Sequence, residues 1–320
     1  MSEEILKLNN LSVSYGDINI LKNIDLSVNQ GQIIGIVGES GSGKCTLIKS
    51  IIGLLDNGGS IESGNIIFKG RDITSLSLKE YREIRGENIS MIFQNPSDFF
   101  NPIRKISKQF IETIRSHKDI SKDEVKQKTL DIFKFLGLSD GDRVWNSYPF
   151  ELSGGMNQRV AIALSIMLEP SLILADEPTS SLDVTVQAQV VKALIKMKEK
   201  LNTSIILVSH NIGLVSYLAD NIGVMYGGKI IEYGDSSEVI NNAMHPYTRL
   251  LIESVPVING NLPSGIKGNP PKFAEYKGGC VFADRCEYVS SKCKSVNQEI
   301  KYLDENHWSL CDIDVEDIAL

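Results

Sequence analysis

The stretch IIGIVGESGSGKCT, residues 33–46, constrains this chain more than any other. Ile33–Val37 has the unbroken apolar run of a strand buried on both faces. A glycine-rich turn follows, and a helix is expected from about Lys44. Glycines there let backbone N–H groups wrap phosphate oxygens. The lysine reaches the outer phosphates, and the helix N-terminus faces the anion. Gly38, Glu39, Ser40, Gly41, Ser42, Gly43, Lys44, Cys45 and Thr46 are therefore the expected nucleotide-binding stretch. One position departs from the usual pattern. Cys45 follows the lysine where a Ser or Thr hydroxyl normally meets Mg²⁺, and a thiol is a poor ligand for an ion that prefers oxygen.

The rest of the chain supports an α/β reading. Ile89–Phe93, Leu172–Ala175 and Ser204–Ser209 read as further buried strands among longer amphipathic stretches, the pattern of a parallel sheet with helices. Between Asn101 and Tyr148 the strand signal disappears and segments such as Glu124–Leu136 space their apolar residues for helix, so a helical insertion is expected. After about Tyr233 the texture changes. A helical piece around His245–Ser254 leads into GNLPSGIKGNPPKF, a linker with little power to form a core. With 42% hydrophobic residues over 320 positions the chain can build one large or two modest cores. Its 33 basic against 40 acidic residues argue against a nucleic-acid partner, which would need a basic stripe. No apolar run reaches the roughly 18–20 residues of a membrane span, and the start MSEEILKLNN lacks an apolar core, so no secretory leader is expected.

Two carboxylates, Asp176 and Glu177, end the apolar run Leu172–Ala175. Asp176 is placed to hold Mg²⁺ and Glu177 to polarise an attacking water. Alone, such a run is weak evidence, because strands often end in solvated acids. Around it, however, stand LSGGMNQR (Leu152–Arg159), DEPTSSLD (Asp176–Asp183), Gln94 after ISMIF, and His210 after SIILVS.

Taken together, about residues 5–238 resemble the nucleotide-binding subunit of an ABC transporter, with every expected motif in order. The resemblance implies a P-loop NTPase core with a helical subdomain over about 96–158 and an antiparallel β part. Catalytic roles fall on Glu177, His210 and Gln94, and Mg²⁺ would be met through Gln94 and Asp176. Tyr15 matches the aromatic that stacks on adenine. Ser153, Gly154 and Gly155 match the signature that binds the partner subunit's ATP. Ser180, Ser181, Leu182 and Asp183 match the loop that crosses the cassette dimer. Met156, Asn157 and Asn211 differ from commoner residues without removing a group assigned to chemistry. Phe99, Phe100 and Ile103 are candidate contacts to a membrane subunit, unless they pack inside the insertion.

The C-terminal part, about 239–320, narrows the branch. His245-Pro246-Tyr247-Thr248 and GCVFADRC resemble the tails of oligopeptide/dipeptide/nickel importer ATPases, and the cassette looks like the first, or D-type, of their two ATPases. Cys280, Cys286, Cys293 and Cys311 are spaced x5, x6 and x17. Four clustered cysteines in a chain expected to be cytosolic suit a metal better than disulfides. The pairs are wider than usual for zinc, and the resemblance favours a [4Fe–4S] cluster, with zinc or unliganded thiols as alternatives. His307 is an alternative ligand, though it is expected to be structural. The implied whole is a peptide importer at the cytoplasmic face of the membrane, driven by ATP and Mg²⁺. A second ABC ATPase, two transmembrane permease subunits and an extracytoplasmic substrate-binding protein would complete it. A nickel or metal-chelator cargo is the alternative. A non-transport ABC ATPase is disfavoured by the single cassette and the absence of heptads.

Overall fold

The computed structural model describes residues 3–180, 182–255, 265–276, 278–311 and 313. Ser181 of the dimer-crossing loop and residues 260–264 of the linker lie outside them. The strands are β1 (Glu4–Tyr15), β2 (Ile18–Asn29), β3 (Ile33–Val37), β4 (Gly59–Phe68), β5 (Arg71–Asp72) and β6 (Ile89–Ile92). They continue with β7 (Leu172–Asp176), β8 (Ser204–Ser209), β9 (Asn221–Tyr226), β10 (Lys229–Asp235), β11 (Lys301–Tyr302) and β12 (Trp308–Ser309). The helices are α1 (Lys44–Ile51), α2 (Leu78–Ile84), α3 (Pro96–Phe99), α4 (Ile106–Arg115), α5 (Lys122–Phe135) and α6 (Gly141–Asn146). After these come α7 (Gly154–Ile166), α8 (Val184–Leu201), α9 (Ile212–Leu218), α10 (Ser236–Asn241), α11 (Pro246–Glu253) and α12 (Ser291–Ser295). The chain divides into two compact units, one built on Leu76–Ile206 with Gln30–Gln32, the other on Glu3–Asn29, Ile33–Ser75 and the chain from Leu207 onward.

In the first unit β6 and β7 are parallel neighbours in the register Ile89↔Leu172 to Ile92↔Ala175. Both are buried along their whole length, as their unbroken apolar runs require. The helical insertion expected after Asn101 is α4, α5 and α6. Helix α5 starts at a reciprocal capping box, with Ser121 accepting from Glu124 N–H and Glu124 accepting from Ser121 N–H. Phe110, Phe133 and Trp145 meet edge to face at 5.6 and 6.3 Å and form the insertion's own core. Of the three candidate contact residues, Phe100 is buried at 4% exposure with its ring edge to face on Phe99, whereas Phe99 is 39% and Ile103 81% exposed.

In the second unit β2, β1, β4 and β5 form an antiparallel sheet. Strand β3 runs parallel to β9, with Val37 opposite Val224. A tight turn at Gly227 and Gly228, both at positive φ, closes the β9–β10 hairpin, the geometry that matches strand twist and that glycine adopts without strain. Gly228 accepts from Lys22 N–H and donates to Ser42 O, and a Cβ there would lie 1.9 Å from Ile20 O. The hairpin tip is thus pinned to β2 and to the glycine-rich turn together. The chain's C-terminal part joins the same unit, because β12 pairs with β10 (Glu232↔Ser309, Tyr233↔Trp308) and β11 pairs with β12.

Beneath that pairing Glu232 is fully buried and accepts three hydrogen bonds. Met244 N–H donates at 2.7 Å, His245 N–H at 2.9 Å, and the His307 ring lies 2.8 Å away through Nε2. His307 is thus held against Glu232 beneath β12.

Candidate functional site

The nucleotide-binding stretch forms as its composition requires. Val37 ends β3, and Gly41 and Gly43 turn at φ 78° and 103°, a backbone region that L side chains rarely adopt. At Gly38 a Cβ would meet Met225 O at 2.1 Å, so only glycine lets β3 run into the turn alongside the end of β9. Gly43 precedes α1, whose first turn carries no acidic residue, which leaves the positive end of the helix open to an anion. Lys44 is buried, and its ammonium donates to Gly38 O and Glu39 O at 2.8 Å each and to Ser42 Oγ at 3.3 Å. Thr46 follows Cys45 on α1, and the Cys45 side chain is exposed. Tyr15 sits half-buried at the end of β1, where its hydroxyl accepts from Asp56 N–H at 3.4 Å.

The exposed thiol has a measurable consequence. Replacing Cys45 with Ser supplies the oxygen that Mg²⁺ prefers, and several-fold less Mg²⁺ should then give half-maximal ATPase activity. An unchanged Mg²⁺ titration would show that the thiol costs the site nothing.

In the first unit the second group of expected residues gathers. Gln94 lies two residues beyond Ile92, and Glu177 two beyond Ala175, on parallel strands in which Ile92 and Ala175 are opposite. Register alone brings them together, and Gln94 Nε2 donates to Glu177 Oε2 at 3.1 Å. Glu177 adopts φ 42°, a left-handed conformation that costs a non-glycine residue about 1 kcal/mol or more and concentrates at functional sites. Ser180 holds it there, donating through N–H and Oγ to Glu177 O at 3.0 Å each. Asp176, just before it, is buried at the end of β7.

Ser153 caps α7, its hydroxyl accepting from Met156 N–H at 3.3 Å. Gly154 stands in open space, so the start of α7 can be approached closely. Gln158, buried beneath it, donates to Pro178 O at 3.0 Å and ties the signature helix to the segment after Glu177. Asp183 caps α8 by accepting from Val186 N–H. In the second unit His210 is exposed just past β8, and Asn211 caps α9, accepting from Leu214 N–H at 3.1 Å. Asn caps a helix as well as the commoner Asp.

The cysteines converge as well. Cys280, Cys286, Cys293 and Cys311 all line one small pocket together with His245 and Pro246. Cys280 N–H donates to Cys293 O at 2.7 Å. Cys311 arrives only because β12 pairs with β10. Burial pushes the Cys280 thiol up to about 11 and Cys311 to about 12, and raises Cys286, with the neighbouring thiols adding to each. Burial also lowers His245 to about 4, so its ring beside Cys280 is neutral at physiological pH. Thiols raised in this way, as at Cys280, Cys286 and Cys311, become thiolates more readily with a bound cation, which supplies the charge that the surroundings lack.

Sequence reasoning missed three residues around the glycine-rich turn. Tyr247, Tyr226 and Arg285 surround Glu39: Tyr247 Oη accepts from Glu39 N–H at 2.8 Å, and Arg285 pairs with the Glu39 carboxylate at 2.6 Å. Tyr247 and Arg285 lie within the HPYT and GCVFADRC motifs, which mark the residues without showing what they touch.

With this geometry in place, comparison with known proteins defines the class. The ABC transporter family model matches residues 21–180, and the fold matches solved cassettes. One is cbiO1 from Clostridium perfringens, part of the ABC transporter complex cbiONQ (29% identity, TM-score 0.65, covering 75% of this chain and 92% of that one). Another is the dimeric post-hydrolysis cassette MJ0796 bound to ADP and Pi (27%, 0.65, 72% and 99%). The oligopeptide/dipeptide transporter C-terminal region matches residues 231–293. Among curated relatives are the probable D,D-dipeptide transport ATP-binding protein DdpD of Escherichia coli (39% identity, 97% of both chains) and the oligopeptide transport ATP-binding protein AppD of Bacillus subtilis (39%, 90% of both). The chain belongs to the ABC transporter ATP-binding subunits, in their oligopeptide/dipeptide branch. It is an ATPase that works on ATP with Mg²⁺. Among the described residues no helix is long and apolar enough to cross a membrane.

Proposed function

We propose that this chain powers peptide uptake, hydrolysing ATP at the cytoplasmic face of the membrane as a peripheral subunit. Its nucleotide-binding domain would span 1–238, with the helical subdomain at about 96–158, and its C-terminal domain 239–320. The observation that carries the catalytic reading is the Gln94–Glu177 contact at 3.1 Å with Glu177 held at φ 42°. Glu177 orients the attacking water and takes its proton, Gln94 and His210 position water and terminal phosphate, and Lys44 with the glycine amides holds the phosphates. Asp176 and Gln94 would hold Mg²⁺, which neutralises phosphate charge. Tyr15 stacks on adenine. Ser153, Gly154 and Gly155 bind the ATP of a second cassette, with Asp183 in the loop between the two. A second ATPase, two permease subunits and an external substrate-binding protein complete the assembly.

Cargo is supported by the relatives' names, which specify dipeptides and oligopeptides. The four cysteines would hold a [4Fe–4S] cluster. Their convergence on one pocket supports a resident cation.

One preparation tests these points. In the complex purified anaerobically, di- and oligopeptides with the binding protein should stimulate ATPase activity, and the chain should carry about four irons with acid-labile sulfide. Stimulation by nickel or a metal chelate alone would reassign the cargo. One zinc per chain would replace the cluster, and neither metal would leave unliganded thiols.

A further inference from the structure

Glu39 occupies the second position of the glycine-rich turn, yet its polar groups face the C-terminal segment. Its N–H donates to Tyr247 Oη at 2.8 Å. Its carboxylate receives both arms of one guanidinium, Arg285 Nη1 to Oε2 at 2.6 Å and Nη2 to Oε1 at 3.2 Å. Arg285 is 246 residues away in sequence and its side chain is only 6% exposed. Three further bonds fix it: Nη1 to Tyr226 Oη at 3.0 Å, Nε to Lys267 O at 2.8 Å and Nη2 to Ile266 O at 3.2 Å. Tyr226, Tyr247 and Phe282 pack around the fork with ring centroids 4.6 to 5.4 Å apart.

A bidentate pair of this kind constrains direction as well as distance. Because the Lys44 ammonium donates to Glu39 O, turning Glu39 would also turn the group that meets the phosphates. Arg285 stands in the turn Ala283–Arg285, directly before Cys286, so the fork is rooted in the cysteine-bearing segment.

We propose that Arg285 is a positioning residue for ATP binding: through its fork on Glu39, the C-terminal segment sets the conformation of the phosphate loop. This rests on the loop being the nucleotide site, as proposed above. It needs no metal at the cysteines.

The test measures equilibrium MgATP binding, KM and kcat on the full-length chain in its purified complex. Arg285→Ala should raise the Kd and KM for ATP about tenfold while kcat stays within about twofold. Arg285→Lys, which keeps the charge and loses the fork, should fall between at about threefold. Glu39→Gln should raise the Kd and KM for ATP as Arg285→Ala does, and the double variant should bind ATP no worse than either single one. Arg285→Gln replaces the alanine variant if that one does not fold. The inference is overturned if KM is unchanged, if the two substitutions add, or if kcat and thermal stability fall in step with affinity, as a merely structural role would produce. Lys44→Ala separates the two readings. If it retains ATP binding, the site assignment fails and this inference with it; if it loses binding while Arg285→Ala keeps wild-type affinity, only the inference fails.

Discussion

Glu177→Gln should reduce ATP turnover by at least about 100-fold, the scale of removing a general base, while MgATP still binds. Glutamine fills the same volume and keeps an amide oxygen toward Gln94 Nε2, so the 3.1 Å contact survives. The backbone at φ 42° is held by Ser180 N–H and Oγ on Glu177 O, which the substitution does not touch. What is lost is the carboxylate proposed to take the water's proton. Phosphate release and nucleotide binding measured on the same preparation decide the matter. Turnover within tenfold of wild type would move the base to another residue.

Glu232→Ala should have the largest effect on stability. The carboxyl is fully buried and receives Met244 N–H, His245 N–H and the His307 ring. Alanine leaves three polar groups without an acceptor in a place that water does not reach, at about 1–3 kcal/mol each. A loss of about 4 kcal/mol would lower Tm by roughly 10 °C. Glu232→Gln should not rescue it fully, because one acceptor oxygen becomes an amide donor facing another donor. Since β12 is docked on β10 above this group, the damage should spread to Cys311 and to the cavity that it lines with the other cysteines. Calorimetry checks the first effect, and thiol accessibility to an alkylating reagent the second. A Tm within about 2 °C of wild type would mean that the three donors find other partners.

Much of the site was legible from short spans of sequence. The glycine-rich turn, the paired acids at the end of β7 and the cap at Ser153 each depend on residues within a turn or two of one another, where local backbone geometry dictates the outcome. The parallel core was legible for a similar reason, since strands buried on both faces have no polar side to interrupt their apolar runs. The insertion was readable as helix, but not that Phe100 is buried while Ile103 remains outside it. That distinction depends on which turn of chain faces the core.

By itself, therefore, the sequence determined which residues are candidates for the chemistry, that the fold is a nucleotide-binding α/β cassette, and that four cysteines are spaced closely in its last part. Only the tertiary structure decided which of them meet. Gln94 and Glu177 are neighbours because β6 and β7 pair in one register, and a slip of one residue would turn their side chains apart. Cys311 reaches the other cysteines because a two-residue strand adds to β10. Glu39 and Arg285 meet across 246 residues because the C-terminal segment folds back onto the unit that holds the phosphate loop. Contacts of this length are set by the packing of whole elements against one another, and no local spacing encodes them.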